Sequence, residues 1–139
     1  MKSKQITLKS RPVGVPQPTD FEVVEVETHA PGTGEVLVEN VFMSVDPYMR
    51  GRMREAWSPG DVLEGGAIGR ILESDFDGLK AGDFVSHGMG WREHATLPGK
   101  ACSKVDPDLA PLQAYLGVMG MPGLTAYGGL LVTGQYKDG

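Results

Sequence analysis

The sequence predicts a mainly β domain, a small barrel or sandwich of short strands, with two helices near its C-terminus. Three observations carry that expectation. Chain-turning residues are abundant, with 20 Gly and 10 Pro among 139 residues, nearly twice the roughly 12% of an average protein. Strand-like segments recur every ~8–12 residues with turn signals between them, the spacing of an all-β barrel or sandwich. After Asp108 the hydrophobic period lengthens to three and four, as in amphipathic helices. A helical bundle is excluded. Hydrophobic residues at 40% and charged residues at 22% exclude a disordered chain and fit one ordinary domain.

Taken in order, Gln5-Ile6-Thr7-Leu8-Lys9 alternates polar and apolar side chains like a half-buried strand. Regular pairing stops over residues 11–18, where Pro12, Pro16 and Pro18 remove backbone donors. Residues 21–27 read as a second strand burying Phe21 and Val23, with Val24 and Val26 as further candidates. Pro31-Gly32-Thr33-Gly34 turns the chain into a third strand, residues 35–42. There Val36, Val38 and Asn40 share one face, and Leu37 and Val41 the other.

Residues 44–53 read as a loop set by Asp46-Pro47. A glycine-interrupted strand pair is expected over residues 63–74, since glycine within a strand marks a bulge or a close backbone approach. Further strands are expected through Phe84-Val85, over 91–97 and over 101–105. Leu109, Leu112, Tyr115, Leu116 and Met119 have helical spacing, with Pro111 in the first turn and Gly117 or Gly120 at the end. A second helix is expected from Pro122 to about Val132, with Leu124, Tyr127, Leu130 and Leu131 as its stripe. Gly128 and Gly129 weaken that helix and imply close packing against another element.

The formal net charge is −5 and no Lys/Arg-rich run stands out, which argues against nucleic acid or an anionic membrane as partner. One cysteine, Cys102, leaves no internal disulfide and no multi-cysteine metal site. A reducing, cytoplasmic location is the expectation. The first residues lack the apolar core of a signal peptide, and no apolar run approaches the ~20 residues of a membrane span.

Four segments in order carry a resemblance. They are Asn40-Val41-Phe42-Met43-Ser44-Val45-Asp46-Pro47-Tyr48-Met49-Arg50-Gly51, Gly65-Gly66-Ala67-Ile68-Gly69, Leu79-Lys80-Ala81-Gly82-Asp83-Phe84-Val85 and Gly120-Met121-Pro122-Gly123-Leu124-Thr125-Ala126-Tyr127. Together they resemble the N-terminal domain of the zinc-independent medium-chain dehydrogenases/reductases. That branch holds NADPH-dependent alkene reductases, among them prostaglandin, curcumin and plant double-bond reductases. The resemblance implies a GroES-like, partly open β-barrel that supplies the substrate side of the site, followed by a Rossmann domain that binds the cofactor. Residues 1–139 are then the GroES-like substrate domain, ending before the Rossmann domain. No G-x-G-x-x-G stands between a strand and a helix in this sequence, and that motif is what cradles a pyrophosphate. NADP would be bound mainly by the absent domain, and the chain by itself is expected to be inactive.

The implied reaction is reduction of the C=C bond of an α,β-unsaturated ketone or aldehyde, by hydride transfer from NADPH and then protonation. The full-length enzyme is expected to be a homodimer. A stand-alone GroES-like interaction module without catalysis is the alternative, because fold alone does not fix function.

Against the zinc-dependent members, the resemblance puts Met43 where a Cys ligand stands and Glu64-Gly65-Gly66 where Gly-His-Glu stands. A thioether is a poor Zn²⁺ ligand and glycine offers no side chain. His29, His87, His94 and Cys102 have no ligand spacing, so no metal is expected. Without a Lewis acid to polarise a carbonyl, alkene reduction is favoured over alcohol oxidation.

Tyr48 is the candidate catalytic residue, and by the resemblance it also lies near the nicotinamide; the alternative is a Tyr that only packs the barrel rim. Its phenol offers a donor and a flat apolar face. Thr125 is the second cofactor contact that the resemblance implies, although its hydroxyl could instead bond back to its own helix. Met43 and Met121 are candidates for the substrate pocket, since thioethers repack readily, with plain core filling as the alternative for each. Asp46 is read as a loop cap, Arg50 and Arg52 as structurally paired or solvated, and Trp57 and Trp91 as rim or core aromatics. Elemental analysis after dialysis is expected to find well below one zinc per chain, and a stoichiometric ion would overturn the metal-free reading.

Overall fold

The computed structural model describes residues 1–137. Seven strands form: β1 (Lys2–Leu8), β2 (Phe21–Glu27), β3 (Glu35–Met43), β4 (Ala67–Ser74), β5 (Phe84–His87), β6 (His94–Pro98) and β7 (Ser103–Val105). β1 and β2 pair antiparallel from Lys2 opposite Glu27 to Leu8 opposite Phe21. The other five make one antiparallel sheet in the order β6-β3-β4-β5-β7. Single bridges, Gln5 to Arg92 and Thr7 to Val62, lace the two-stranded ribbon to the rest. The result is a partly open barrel of the GroES-like kind, mainly β.

Two apolar clusters fill it. Val36, Val38, Ile71, Val85, Ala95 and Leu97 pack between the sheet's inner faces. Leu8, Met49, Met53, Trp57 and Leu63 plug one end. Val36, Val38, Val85, Leu8 and Leu63 are fully buried, and each such side chain contributes about 1.5–3 kcal/mol through lost apolar exposure. Among the described residues no helix is long and apolar enough to cross a membrane.

Several expectations are corrected. The segment after Ser44 is not all loop: it holds a short helix, α1 (Tyr48–Arg52). Pro47 sets the entry, with φ −57° and ψ −32° already helical. Met49 at 2% exposure anchors the helix in the core. The strand pair over 63–74 is the single strand β4, because Gly65 makes only an isolated bridge, to Met89. The strand expected over 91–97 begins at His94, since Trp91 adopts a left-handed backbone conformation, φ 59°, that no strand continues. In β2, Val23 is 63% exposed, whereas Phe21, Val24 and Val26 are half-buried. The period of two breaks there because one face of the ribbon has no sheet over it. Val41 is likewise 45% exposed, because a register shift between Asn40 and Phe42 releases it from the β4 ladder.

The helix expected from Leu109 to Met119 is only a 3-10 turn, Leu112–Leu116. Pro111 enters it extended, with ψ 138°, and Leu109 is 68% exposed. The second helix, α2 (Met121–Tyr127), widens into a π-helical turn, Gly128–Thr133. A Cβ at Gly128 or Gly129 would meet nothing within 4 Å, so no described element packs closely there.

One strand glycine behaves as expected. A Cβ on Gly69 would lie 2.3 Å from Val38 Cγ1 and 2.7 Å from the Glu39 carbonyl. The β3–β4 register therefore depends on the bare backbone at this position. Gly69→Ala is expected to destabilise the protein by about 1–3 kcal/mol through overpacking, readable as a lower denaturant midpoint. An unchanged midpoint would mean that the strands separate freely.

Candidate active site

The site grows from the end of β3. Ser44 donates its backbone N–H to the Gly66 carbonyl at 2.8 Å. Its hydroxyl lies 2.7 Å from Asp46 Oδ2, to which it donates, and 3.3 Å from the same Gly66 carbonyl. The Asp46 carbonyl then accepts from Met49 N–H at 3.1 Å. Asp46 thus ties the loop, as its sequence position suggested, and Tyr48 becomes the first residue of α1.

Opposite stands the segment that carries the 3-10 turn and the start of α2. The Tyr115 hydroxyl donates to the Asp106 carbonyl at 2.7 Å and accepts from Asp106 N–H at 3.2 Å, holding that segment to the barrel. Gly66 lets the two sides approach, since a Cβ would lie 3.0 Å from Ser44 Oγ and 3.3 Å from Leu116 Cδ2. Between them lies a cleft of about 230 Å³ lined by Ser44, Tyr48, Ser86, Tyr115, Leu116 and Met121, among others.

Tyr48 is 39% exposed, and among the described residues its hydroxyl has no hydrogen-bond partner. The Arg52 guanidinium sits 5.1 Å from the centre of its ring and 5.7 Å from that of Trp57, within cation–π range. Arg52 also pairs with Glu64 at 3.3 Å. Two arginines clasp α1 to the loop over residues 11–18. Arg50 Nη2 donates to the carbonyls of Pro12 and Gly14 at 3.2 and 2.9 Å. In return, Arg11 Nη1 donates to the carbonyls of Met53 and Arg54 just beyond α1. Arg52 is structurally paired, whereas Arg50 is held by backbone carbonyls alone. Trp57, at 6% exposure, is a core aromatic.

The structure brings Tyr48 and Met121 into one cleft but not the other two candidates. Met43 lines a separate apolar cavity with Ile6, Val23 and Trp91. Neighbouring residues of a strand point to opposite faces, so Ser44 takes the cleft and Met43 the other side. Thr125 is exposed, and its hydroxyl donates to the Met121 carbonyl at 2.8 Å within its own helix. Sequence reasoning missed Ser44, Ser86, Tyr115 and Leu116. Only Ser44, in the run Ser44-Val45-Asp46, carried a local signal.

Among the described residues no group of three or more His, Cys, Asp or Glu side chains could hold a metal ion. Burial pushes the Cys102 thiol up to about 11, so it stays protonated and unreactive at neutral pH. Burial, with a smaller contribution from the Arg92 charge, pushes His87 down to about 4. Its Nδ1 accepts from Met89 N–H at 3.1 Å.

Residues 4–105 match the family described as the N-terminal domain of oxidoreductase. The chain belongs to that family. This oxidoreductase domain is 40% identical over 144 residues to the NADPH-dependent curcumin reductase of Escherichia coli (strain K12), covering 99% of this chain and 42% of the relative. It is 41% identical over 142 residues to prostaglandin reductase 1 of Sus scrofa, covering 100% of this chain and 43% of the relative. A crystal structure of CurA in complex with NADPH from Vibrio vulnificus superposes with a TM-score of 0.89 at 37% identity, over 98% of this chain and 42% of that one. The chain therefore spans less than half the length of these relatives. Since they are reductases, the interaction-module reading is not favoured.

The buried His87 makes stability depend on pH. Its folded value, about 4, lies below the ordinary 6.5, so folding favours the neutral ring. Its contribution is complete above pH 6.5 and is lost as the pH falls from 6.5 towards 4. Between pH 7 and pH 5 the expected loss is about 2 kcal/mol, measured by denaturant unfolding. His87→Gln keeps an acceptor for Met89 N–H without titrating, and should remove most of that loss. An equal loss in the variant would assign the pH dependence to other groups.

Proposed function

We propose that this domain forms the substrate side of an NADP-dependent, zinc-independent reductase that reduces the C=C bond of α,β-unsaturated ketones or aldehydes. The observation that carries the reading is the cleft between the Ser44–Tyr48 loop and the Tyr115–Met121 segment, where the Tyr48 phenol stands beside Leu116 and Met121. The relatives, a curcumin reductase and a prostaglandin reductase, support that reading.

The cleft, of about 230 Å³, would take the nicotinamide end of a dinucleotide. Tyr48, Ser86 and Ser44 offer hydroxyl groups at its edge. Among the described residues no strand and helix flank a glycine-rich turn of the kind that cradles a pyrophosphate. We assign that task to a Rossmann domain following this one, through which the full-length enzyme would also form a homodimer. When bound, the reduced cofactor supplies a hydride.

The chain's own residues do the rest. Tyr48 donates a hydrogen bond to the substrate carbonyl oxygen, where negative charge grows as the alkene is reduced, and such a donor lowers the barrier most where charge develops. Leu116 and Met121 exclude water and hold the apolar part of the enone. Thr125 would be the residue that holds the nicotinamide carboxamide, although here its hydroxyl bonds the Met121 carbonyl. Small enones or enals are the partners, and the cytoplasm, where NADPH is available and Cys102 stays reduced, is the location.

Tyr48→Phe tests this reading in a polypeptide that joins this domain to its cofactor domain. Loss of the hydroxyl should lower kcat/KM for an enone by one to two decades, about 1.5–3 kcal/mol, with an unchanged melting temperature. A rate within about twofold of the parent would remove Tyr48 from the reaction.

A further inference from the structure

Tyr48 is the first residue of α1 and Arg52 the last. Residues four apart on a helix are neighbours on its surface. Here the Arg52 Cζ lies 5.1 Å from the centre of the Tyr48 ring and 5.7 Å from that of Trp57. One guanidinium therefore links an aromatic ring at the cleft to an aromatic ring buried in the core. Its edge is used as well, because Arg52 Nη1 pairs with Glu64 Oε2 at 3.3 Å. A planar guanidinium can stack on a ring and bond a carboxylate at the same time, whereas an ammonium is a point charge.

Both anchors are themselves fixed. Trp57 donates its backbone N–H to the Arg52 carbonyl at 2.8 Å, and it packs with Leu8, Met53 and Leu63. Glu64 leads into Gly65, whose N–H donates to the Gly88 carbonyl, and Gly66, whose carbonyl accepts from Ser44 N–H. An exposed ion pair adds little by itself. Here it ties the Arg52 head to the backbone that also builds the cleft.

Tyr48 lacks any comparable hold of its own. Its hydroxyl has no hydrogen-bond partner among the described residues, and α1 carries no side-chain cap. The aim of the phenol is then set by the staggered χ1 well that the ring occupies. In a helix the +60° well is rare, so two wells compete. A cation on the face of an exposed ring biases such a choice by about two- to fivefold.

We propose that Arg52 is a positioning residue for the Tyr48 phenol. Its guanidinium holds the ring in the rotamer that lines the cleft, and it acts on the reaction only through that ring. The role rests on the reductase reading, in which the Tyr48 hydroxyl donates to the substrate carbonyl. Arg50 does not share it, being spent on the Pro12 and Gly14 carbonyls.

The test is a double-mutant cycle in the polypeptide that joins this domain to its cofactor domain. Arg52→Met keeps an unbranched stem and removes the cation. The Arg52 side chain is 45% exposed, so the melting temperature should stay within about 3 °C of the parent. For an enone, kcat should fall about two- to fivefold with KM within about 1.5-fold, as when an interaction serves only the transition state. The Tyr48→Phe background keeps the ring but has no hydroxyl to aim. Adding Arg52→Met there should change kcat by less than about 1.3-fold. Arg52→Lys returns the charge to the ring face and should recover at least about half of the loss. No loss in the parent, an equal loss in both backgrounds, or no recovery with lysine would each overturn the role of Arg52. The reductase reading would survive any of these as long as Tyr48→Phe itself is slow. A Tyr48→Phe rate within about twofold of the parent would instead remove Tyr48 from the reaction, and this role of Arg52 with it.

Discussion

Ser44 leaves β3 with its N–H on the Gly66 carbonyl and its hydroxyl on Asp46, and most of the cleft follows from that tie. Gly66 immediately precedes β4, so the bond fixes the loop after β3 to the edge from which β4 starts. Asp46 in turn accepts at both its side chain and its carbonyl, which sets the first turn of α1. Tyr48 is thereby presented at the cleft, while Met49, one residue on, is driven into the core at 2% exposure. A hydroxyl, a carboxylate and a bare glycine backbone are all needed within this small volume. A side chain at Gly66 would press on Ser44 and Leu116 together.

The neighbouring turn, bonded to Gly65, is ordered by polar groups that a purely apolar account would overlook. Asn40 donates both amide hydrogens, to the Met89 and Arg92 carbonyls, each at 2.9 Å. Arg92 reaches the Gly90 and Leu63 carbonyls at 3.2 Å, although burial pulls its pKa down from the ordinary value. These bonds hold the turn before β6 across the end of the sheet. They impose the left-handed conformation of Trp91 by fixing both of its neighbours, Gly90 and Arg92. Buried polar networks of this kind give geometric definition when most members are satisfied. Arg50 Nη1 and Trp91 Nε1, buried with no partner among the described residues, therefore stand out.

Much of the architecture was legible in the sequence, and for an identifiable reason. β1, β3, β5 and β7 lie within or beside the segments whose alternation and turn residues predict them. Gly69 marks the close approach expected of a strand glycine. Legibility failed where local pattern and tertiary surroundings diverge. Leu109 to Met119 has helical spacing, but Pro111 enters extended and Gly117 and Gly120 follow too soon for a helix to propagate. Val23 alternates correctly and is still exposed, because β2 has only β1 beside it.

The candidate site divides along the same line. By itself the sequence determined the short strands and their order, the lone cysteine, the turn-setting Asp46-Pro47 and the run of motifs that places Tyr48 and Met121 in a reductase-like domain. These properties reside in neighbouring residues, whose backbone preferences and spacing act over a few positions. Only the tertiary structure decided that Tyr48 shares a cleft with Met121 and that Met43 faces another cavity. It also decided that Thr125 bonds its own helix and that Arg50 keeps one buried nitrogen unmatched. Each of those outcomes depends on which residues distant in sequence arrive beside one another. Strand register and the close approach at Gly66 settle that, and no local preference encodes it.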